Sequence, residues 1–221
     1  MNGYKAYLAE AIGTFALVFI GAGAILAGND ILGVALAHGL VLMCMVYATG
    51  HVSGGHINPA VTIGMWVTKK IKGVHAISYI IAQLIGAAVA GFLLQTIFSS
   101  APASLALGAP ILGLGISVLK GIIVEAVLTF FLVFTIFGVA VDKRAPAGLY
   151  GLAIGLVLTF DILVGGGLTG AAMNPARAFG PAFAADFWTN QLVYWVGPII
   201  GGVIAALIYN YILMEKKRGK R

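Results

Sequence analysis

Set against itself, the chain repeats at an offset of 115 to 116 residues. Glu10-Ala-x-x-Thr14-Phe15-x-Leu17-Val18-Phe19 returns as Glu125-Ala-x-x-Thr129-Phe130-x-Leu132-Val133-Phe134, and Gly39-Leu-Val-Leu42 returns as Gly155-Leu-Val-Leu158. Asn58-Pro-Ala60 returns as Asn174-Pro-Ala176, and Tyr79 and Gly86 return as Tyr194 and Gly201. Apolar runs separate these landmarks. They predict spans at about Tyr4–Ala27, Ile31–Tyr47 and Val74–Phe98 in the first copy, then Val118–Val141, Gly148–Gly165 and Val193–Met214 in the second. All are near the length that crosses a hydrocarbon core, the second and fifth being short. Each copy holds an odd number of spans, so the two must lie in opposite orientations in the membrane.

Composition excludes the soluble alternatives. At 61% hydrophobic and 9% charged, the 221-residue chain is too apolar for a soluble domain and lacks the short alternation of an outer-membrane barrel. The first run carries Glu10 and no small-residue cleavage site follows it, so it reads as a retained span and not a removed leader. Net charge +6 does not point to nucleic acid, because the cations follow topology. Lys5, Lys69, Lys70, Lys72, Lys143, Arg144, Lys216, Lys217, Arg218, Lys220 and Arg221 all fall on one side if the termini and the second and fourth loops are cytoplasmic; Lys120 and Arg177 do not. The expected organisation is one membrane domain over 1–221: repeat one 1–98, an outer connecting loop 99–117, repeat two 118–215 and a basic cytoplasmic tail 216–221. Short loops without targeting extensions suggest a prokaryotic cytoplasmic membrane. The single cysteine, Cys44, permits no intrachain disulfide and reads as a small residue buried in helix packing.

Each Asn-Pro-Ala reads as a helix start, since Asn is a favoured N-cap and Pro is tolerated at the first helical position. The apolar runs that follow end at Lys69 and Asp186. Helices of that length reach roughly 16 to 18 Å, half a bilayer. Two such half-helices starting near the midplane place their positive dipole ends in the middle of the membrane. Gly54-Gly55 and Gly165-Gly166-Gly167, just before them, are expected to be irregular backbone lining a polar cavity; most other glycines serve helix packing.

The duplicated Asn-Pro-Ala, the repeated Glu-x-x-x-Thr-Phe and Ser53-Gly54-Gly55-His56-Ile57-Asn58-Pro59-Ala60-Val61-Thr62 resemble the aquaporin, or major intrinsic protein, family across the whole chain. The resemblance implies an all-α membrane protein of six transmembrane helices and two re-entrant half-helices, one pore per chain and a homotetramer. If each Asn carbonyl caps its own helix, Asn58 and Asn174 turn amide donors toward one another and hold a single water by its oxygen. Such a water accepts nothing from its neighbours, which breaks a proton wire, while the dipoles repel cations. Pro59, Ala60, Pro175 and Ala176 complete that site.

Arg177 lies one helical turn from Asn174, where the first copy has Val61. A charge in the membrane costs at least ~2.5 kcal/mol and should face a wet cavity or a partner. By resemblance it is the arginine of an outer selectivity constriction, completed by His38, Ile162 and Ala171, a set similar to that of plant tonoplast-intrinsic aquaporins. Such an opening should pass water and admit ammonia, urea or hydrogen peroxide, with glycerol less certain. Glu10 and Glu125 are expected to hold the half-helix loops through backbone N–H groups. His56 is expected to line the pore. Asp161, where similar chains carry Asn, reads first as a plain helix-packing hydrogen bond; the sharper alternative sets it behind the constriction against His38 or Arg177, raising the positive charge on His38. No cofactor and no metal site is suggested. The alternatives are a secondary transporter, which would need coupling groups at the midplane, and an intramembrane enzyme, for which no acid, base and nucleophile set is present.

Overall fold

The computed structural model describes residues 3–215. Eight α-helices follow one another: α1 Gly3–Leu26, α2 Ile31–Ser53, α3 Pro59–Val67, α4 Gly73–Ile97, α5 Val118–Ile136, α6 Tyr150–Thr169, α7 Pro175–Ala184 and α8 Val193–Ile208. α5 and α8 each run on into a π-helical turn, Phe137–Val141 and Tyr209–Leu213. Among the described residues six helices are long and apolar enough to cross a membrane. The basic tail expected at 216–221 lies outside the described residues.

Glycine and alanine set how closely the helices approach. α1 packs on α4 and α5 on α8. A Cβ on Gly86 would collide with the Ala11 carbonyl, and one on Gly201 with the Ala126 carbonyl. These two contacts are related by the sequence offset. α2 crosses α6 where Gly39 and Gly155 each leave room for the other's backbone carbonyl. Close backbone approach of this kind is how membrane helices gain dispersion energy without a hydrophobic drive between them.

The half-helices are exchanged between the copies: α3 packs mainly on α8, and α7 mainly on α4. Gly64 of α3 lies against Gly202 and Ala206, and Gly180 of α7 against Ala87. At 9 and 10 residues the half-helices extend only about 14 to 15 Å, well short of a bilayer.

Two expectations need correction. α2 and α6 are not short; they continue to Ser53 and Thr169 and stop at glycines in the left-handed region, Gly54 (φ 95°) and Gly170 (φ 81°). Gly165, Gly166 and Gly167 are therefore helical, and the irregular backbone of the second copy is Gly170–Met173. A triplet of glycines did not break α6, because membrane helices tolerate glycine where a neighbour presses close, and Leu128 and Ile31 fill that space. Cys44 is exposed and not buried. The inward face of α2 is carried by His38, Gly39, Leu42 and Val46, and Cys44, two residues past Leu42, lies away from it.

Candidate functional site: two helix tips around a narrow passage

Asn58 and Asn174 sit at the N-caps of α3 and α7 with Pro59 and Pro175 in the first turn. The Asn58 Oδ1 accepts from Ala60 N at 2.8 Å, and the Asn174 Oδ1 accepts from Ala176 N at 3.0 Å and Arg177 N at 3.2 Å. With both carbonyl oxygens so committed, the amide nitrogens face away from their own helices. Each donates across the midline. Asn58 Nδ2 bonds the Met173 carbonyl at 2.8 Å, and Asn174 Nδ2 bonds the Ile57 carbonyl at 2.9 Å. The two tips are thus tied together by a reciprocal pair of bonds. One hydrogen on each amide is used in the tie and one is left over, a refinement the residue types alone did not suggest.

The loops entering the tips are held by the two acids. Glu10 Oε1 accepts from Ser53 Oγ and His56 N, and its Oε2 accepts from Ile57 N at 2.6 Å and Gln83 Nε2 at 2.8 Å. Glu125 Oε1 accepts from Thr169 Oγ1 and Ala172 N, and its Oε2 from Met173 N at 2.7 Å. Both acids are fully buried. This satisfaction is what a buried carboxyl requires, and it lets Ile57 (φ 56°) and Met173 (φ 51°) stay in the left-handed region that non-glycine residues avoid. Tyr79 and Tyr194 secure the other ends of the same loops by donating to the carbonyls of Ser53 and Thr169. Tyr79 and Tyr194 stood out from sequence as a recurring pair without this role, and the hydroxyls of Ser53 and Thr169, which recur at the repeat offset, were not singled out.

A narrow cavity of about 20 Å³ passes between the tips. It runs from His38 and Arg177 past Asn58 and Asn174 to Val46 and His56. A water needs roughly 10 to 15 Å³ on the same measure, so the passage has room for waters only in single file. Beyond His56 it opens into a wider cavity of about 900 Å³, lined in part by Gly3, Lys70, Lys72 and Ala145–Gly148.

At the narrow end Arg177 Nε donates to His38 Nε2 at 3.2 Å, and its Nη1 donates to the Gly108 carbonyl at 2.8 Å. The Nδ1 of His38 bonds the Val34 carbonyl at 2.8 Å. A carbonyl only accepts, so Nδ1 carries the hydrogen; Nε2 must then be bare to accept from the guanidinium. His38 is therefore a neutral ring. Its Nε2 serves as the acceptor that steadies the arginine, so the added positive charge that the sharper reading of Asp161 gave it is not there. Gly108 comes from the connecting loop, whose short 3₁₀ helix Ala103–Gly108 folds inward. No pattern in that loop announced it.

Ile162 and Ala171 are buried beside this end but do not line the narrow cavity; Ala172 does. Ala171 (φ 45°) and Met173 both lie in the left-handed region on either side of it. Asp161 is buried, makes no hydrogen bond or ion pair with His38 or Arg177, and has an Oδ2 without a partner. It lies on the stripe of α6 that continues through Gly165, packed on Leu128, and Thr169, bonded to Glu125; that stripe faces α5 and not the arginine. The sharper alternative's contact with the constriction is not present. His56 lines both cavities, with Nδ1 on Thr62 Oγ1 at 3.1 Å.

The family profile described as Major intrinsic protein matches residues 1–209. The chain belongs to the major intrinsic protein, or aquaporin, family. It is similar to "Aquaporin TIP4-4" of Zea mays, 45% identical over 96% of this chain and 88% of the relative. It is similar to "Aquaporin AqpM" of Methanothermobacter thermautotrophicus at 42% identity, over 96% of this chain and 98% of the relative. Among solved structures, the aquaglyceroporin from Plasmodium falciparum superposes with a TM-score of 0.84 at 27% identity, covering 96% of this chain and 97% of that one. The fold is the aquaporin fold, and the protein is an integral, multi-pass membrane channel and not an enzyme.

Proposed function

We propose that this aquaporin conducts water passively along its osmotic gradient while excluding protons and ions. The observation that carries the reading is the reciprocal bond pair that brings Asn58 and Asn174 together beside a passage one water wide. With each amide holding one hydrogen in reserve, a water between them donates outward in both directions and accepts from neither neighbour. Proton hopping needs the reverse at some point along the file. The positive ends of α3 and α7 meet at the same place and oppose cations.

His38 and Arg177 form the outer constriction in this reading, with Ala172 on its wall and Ile162 and Ala171 buried behind it; Glu10 and Glu125 support its loops, and His56 lines the opposite half. An arginine held aside by His38 and Gly108 favours small neutral solutes; ammonia, urea and hydrogen peroxide are assigned to it, and whether glycerol follows is decided by the flux comparison below. The cation-rich end is placed in the cytoplasm with both termini, in a prokaryotic cytoplasmic membrane, and the chain works as a homotetramer.

Stopped-flow light scattering on proteoliposomes, comparing water, ammonia, urea and glycerol, tests this. The expected result is fast, non-saturating water flow at a shallow temperature dependence, with ammonia and urea following. Saturable uptake that depends on a co-ion would assign the protein to the secondary transporters instead.

A further inference from the structure

Water conduction explains the narrow passage but not the chemistry of the wide cavity beneath it. That cavity, about 900 Å³, falls in the size range of pockets that enclose drug-sized molecules. Among the described residues lining it there are Lys70, Lys72, His51 and His75 and no Asp or Glu. Neither lysine enters an ion pair among the described residues; the nearest polar contact of Lys70 is the Met214 sulfur at 3.8 Å. A chain of rings leads from the rim to the pore. His75 lies 6.2 Å from Tyr7, Tyr7 lies 5.9 Å from Tyr79, and Tyr79 lies 5.1 Å from His56, centroid to centroid. His56 stands where the wide cavity meets the narrow one.

We propose that this vestibule is a binding site for a small aromatic organic anion, which seats its ring on the half-buried Tyr7, backed by the buried Tyr79, its charge toward Lys70 and Lys72, and plugs the pore at His56. The site rests on the channel reading above and adds a ligand to it. Two unpaired lysines, with no carboxylate among the described residues of the wall, attract a carboxylate, sulfonate or phosphate and repel a cation of the same shape. The half-buried Tyr7 supplies a stacking or edge contact that a bare inorganic anion would not use. A passage with room for one water cannot carry flow past an occupant that covers its mouth. Of the cations on this side, Lys69 and Lys143 are not on the wall.

The test uses 2-naphthalenesulfonate and, as its cationic counterpart, 2-naphthyltrimethylammonium, with the full-length protein in phosphatidylcholine, which presents no anionic headgroup to compete. Calorimetry in nanodiscs reads binding, and stopped-flow water efflux from vesicles equilibrated with probe on both sides reads block. The sulfonate should bind and slow efflux while the ammonium does neither. In the Lys70→Gln/Lys72→Gln double variant the half-blocking concentration should rise by roughly tenfold, about threefold per partly exposed lysine. Absence of sulfonate binding, equal binding of both probes, or an unshifted concentration in the double variant would overturn the proposal. Vesicles that conduct no water would instead overturn the channel reading, and the binding isotherm would still decide this one.

Discussion

Replacing Glu125 by Gln keeps the shape of the side chain and turns one of its two acceptor oxygens into a donor. Glu125 holds three donors, Thr169 Oγ1 and Ala172 N on Oε1 and Met173 N on Oε2. The least damaging amide orientation keeps the oxygen at the Oε1 position, and then the Met173 N–H faces an N–H₂ with no acceptor. Losing a bond to a charged acceptor costs about 1.5 to 3 kcal/mol, and an unsatisfied buried donor adds to it, so Glu125→Gln should destabilise by about 3 kcal/mol. Glu10→Gln should cost less. There the amide faces Ile57 N and Gln83 Nε2, and Gln83 carries a buried Oε1 with no partner. By turning its amide over, Gln83 presents that oxygen to the new N–H₂ and recovers one bond, while giving up the one its Nε2 donates to Thr62 Oγ1 at 3.0 Å, which the Thr62 hydroxyl can replace by donating back. The second copy has Pro198 where the repeat would place a partner for Gln83, so Glu125 has no such relief. The predicted gap between the variants is about 1 kcal/mol, the worth of one hydrogen bond, since the turned Nε2 takes over the unpartnered place of the oxygen. Reversible unfolding of both in mixed micelles measures it. Equal destabilisation, or a larger loss for Glu10→Gln, would refute the reasoning; a Glu10→Gln/Gln83→Leu variant should erase the difference.

Arg177→Val, which copies Val61 of the first repeat, should raise urea and proton leak by about tenfold or more in proteoliposome flux assays, because the side chain that both narrows the opening and opposes cations there is removed. Asp161→Val deletes a buried acceptor that has no partner, so unfolding should show a gain of about 1 kcal/mol with water flux within about twofold of the parent. Outside the membrane spans, Arg144 chelates Asp142 and reaches the Leu213 carbonyl, holding the Asp142 carboxyl down at about 2 from 3.8. A depressed carboxyl stabilises fully above its unfolded value and loses that contribution as pH falls toward the folded one. The stability difference between the parent and Arg144→Ala should thus be constant from pH 5 to 8 and shrink between about pH 4 and 2, in unfolding measured across that range.

Much of this fold was legible because lipid narrows the choices. Apolar runs between Tyr4 and Met214 had to be helices, and an odd number of them in each copy had to invert the repeat. The helix tips were legible too, since Asn-Pro states a cap and a first turn in two residues. Less legible were contacts made by backbone alone. Gly108 reaches Arg177 through a carbonyl, and any residue type carries one. The continuation of α6 through Gly165–Gly167 depends on Leu128 and Ile31 pressing from other helices, which local composition does not reveal. The sharper reading of Asp161 fails because adjacency to Ile162 is not a shared direction: neighbouring residues on a helix point about 100° apart. The state of His38 was not legible for a related reason: it is set by Val34 and Arg177, one a turn away and one 139 residues away.

The central claim is that Asn58 and Asn174 meet around a single water, and an experimental map that orders solvent tests it most directly. The account predicts one water oxygen within about 3.2 Å of both Nδ2 atoms, with the adjoining waters in single file oriented away from it on both sides. A gap between the two tips, or a side chain filling the space between the amides, would contradict it.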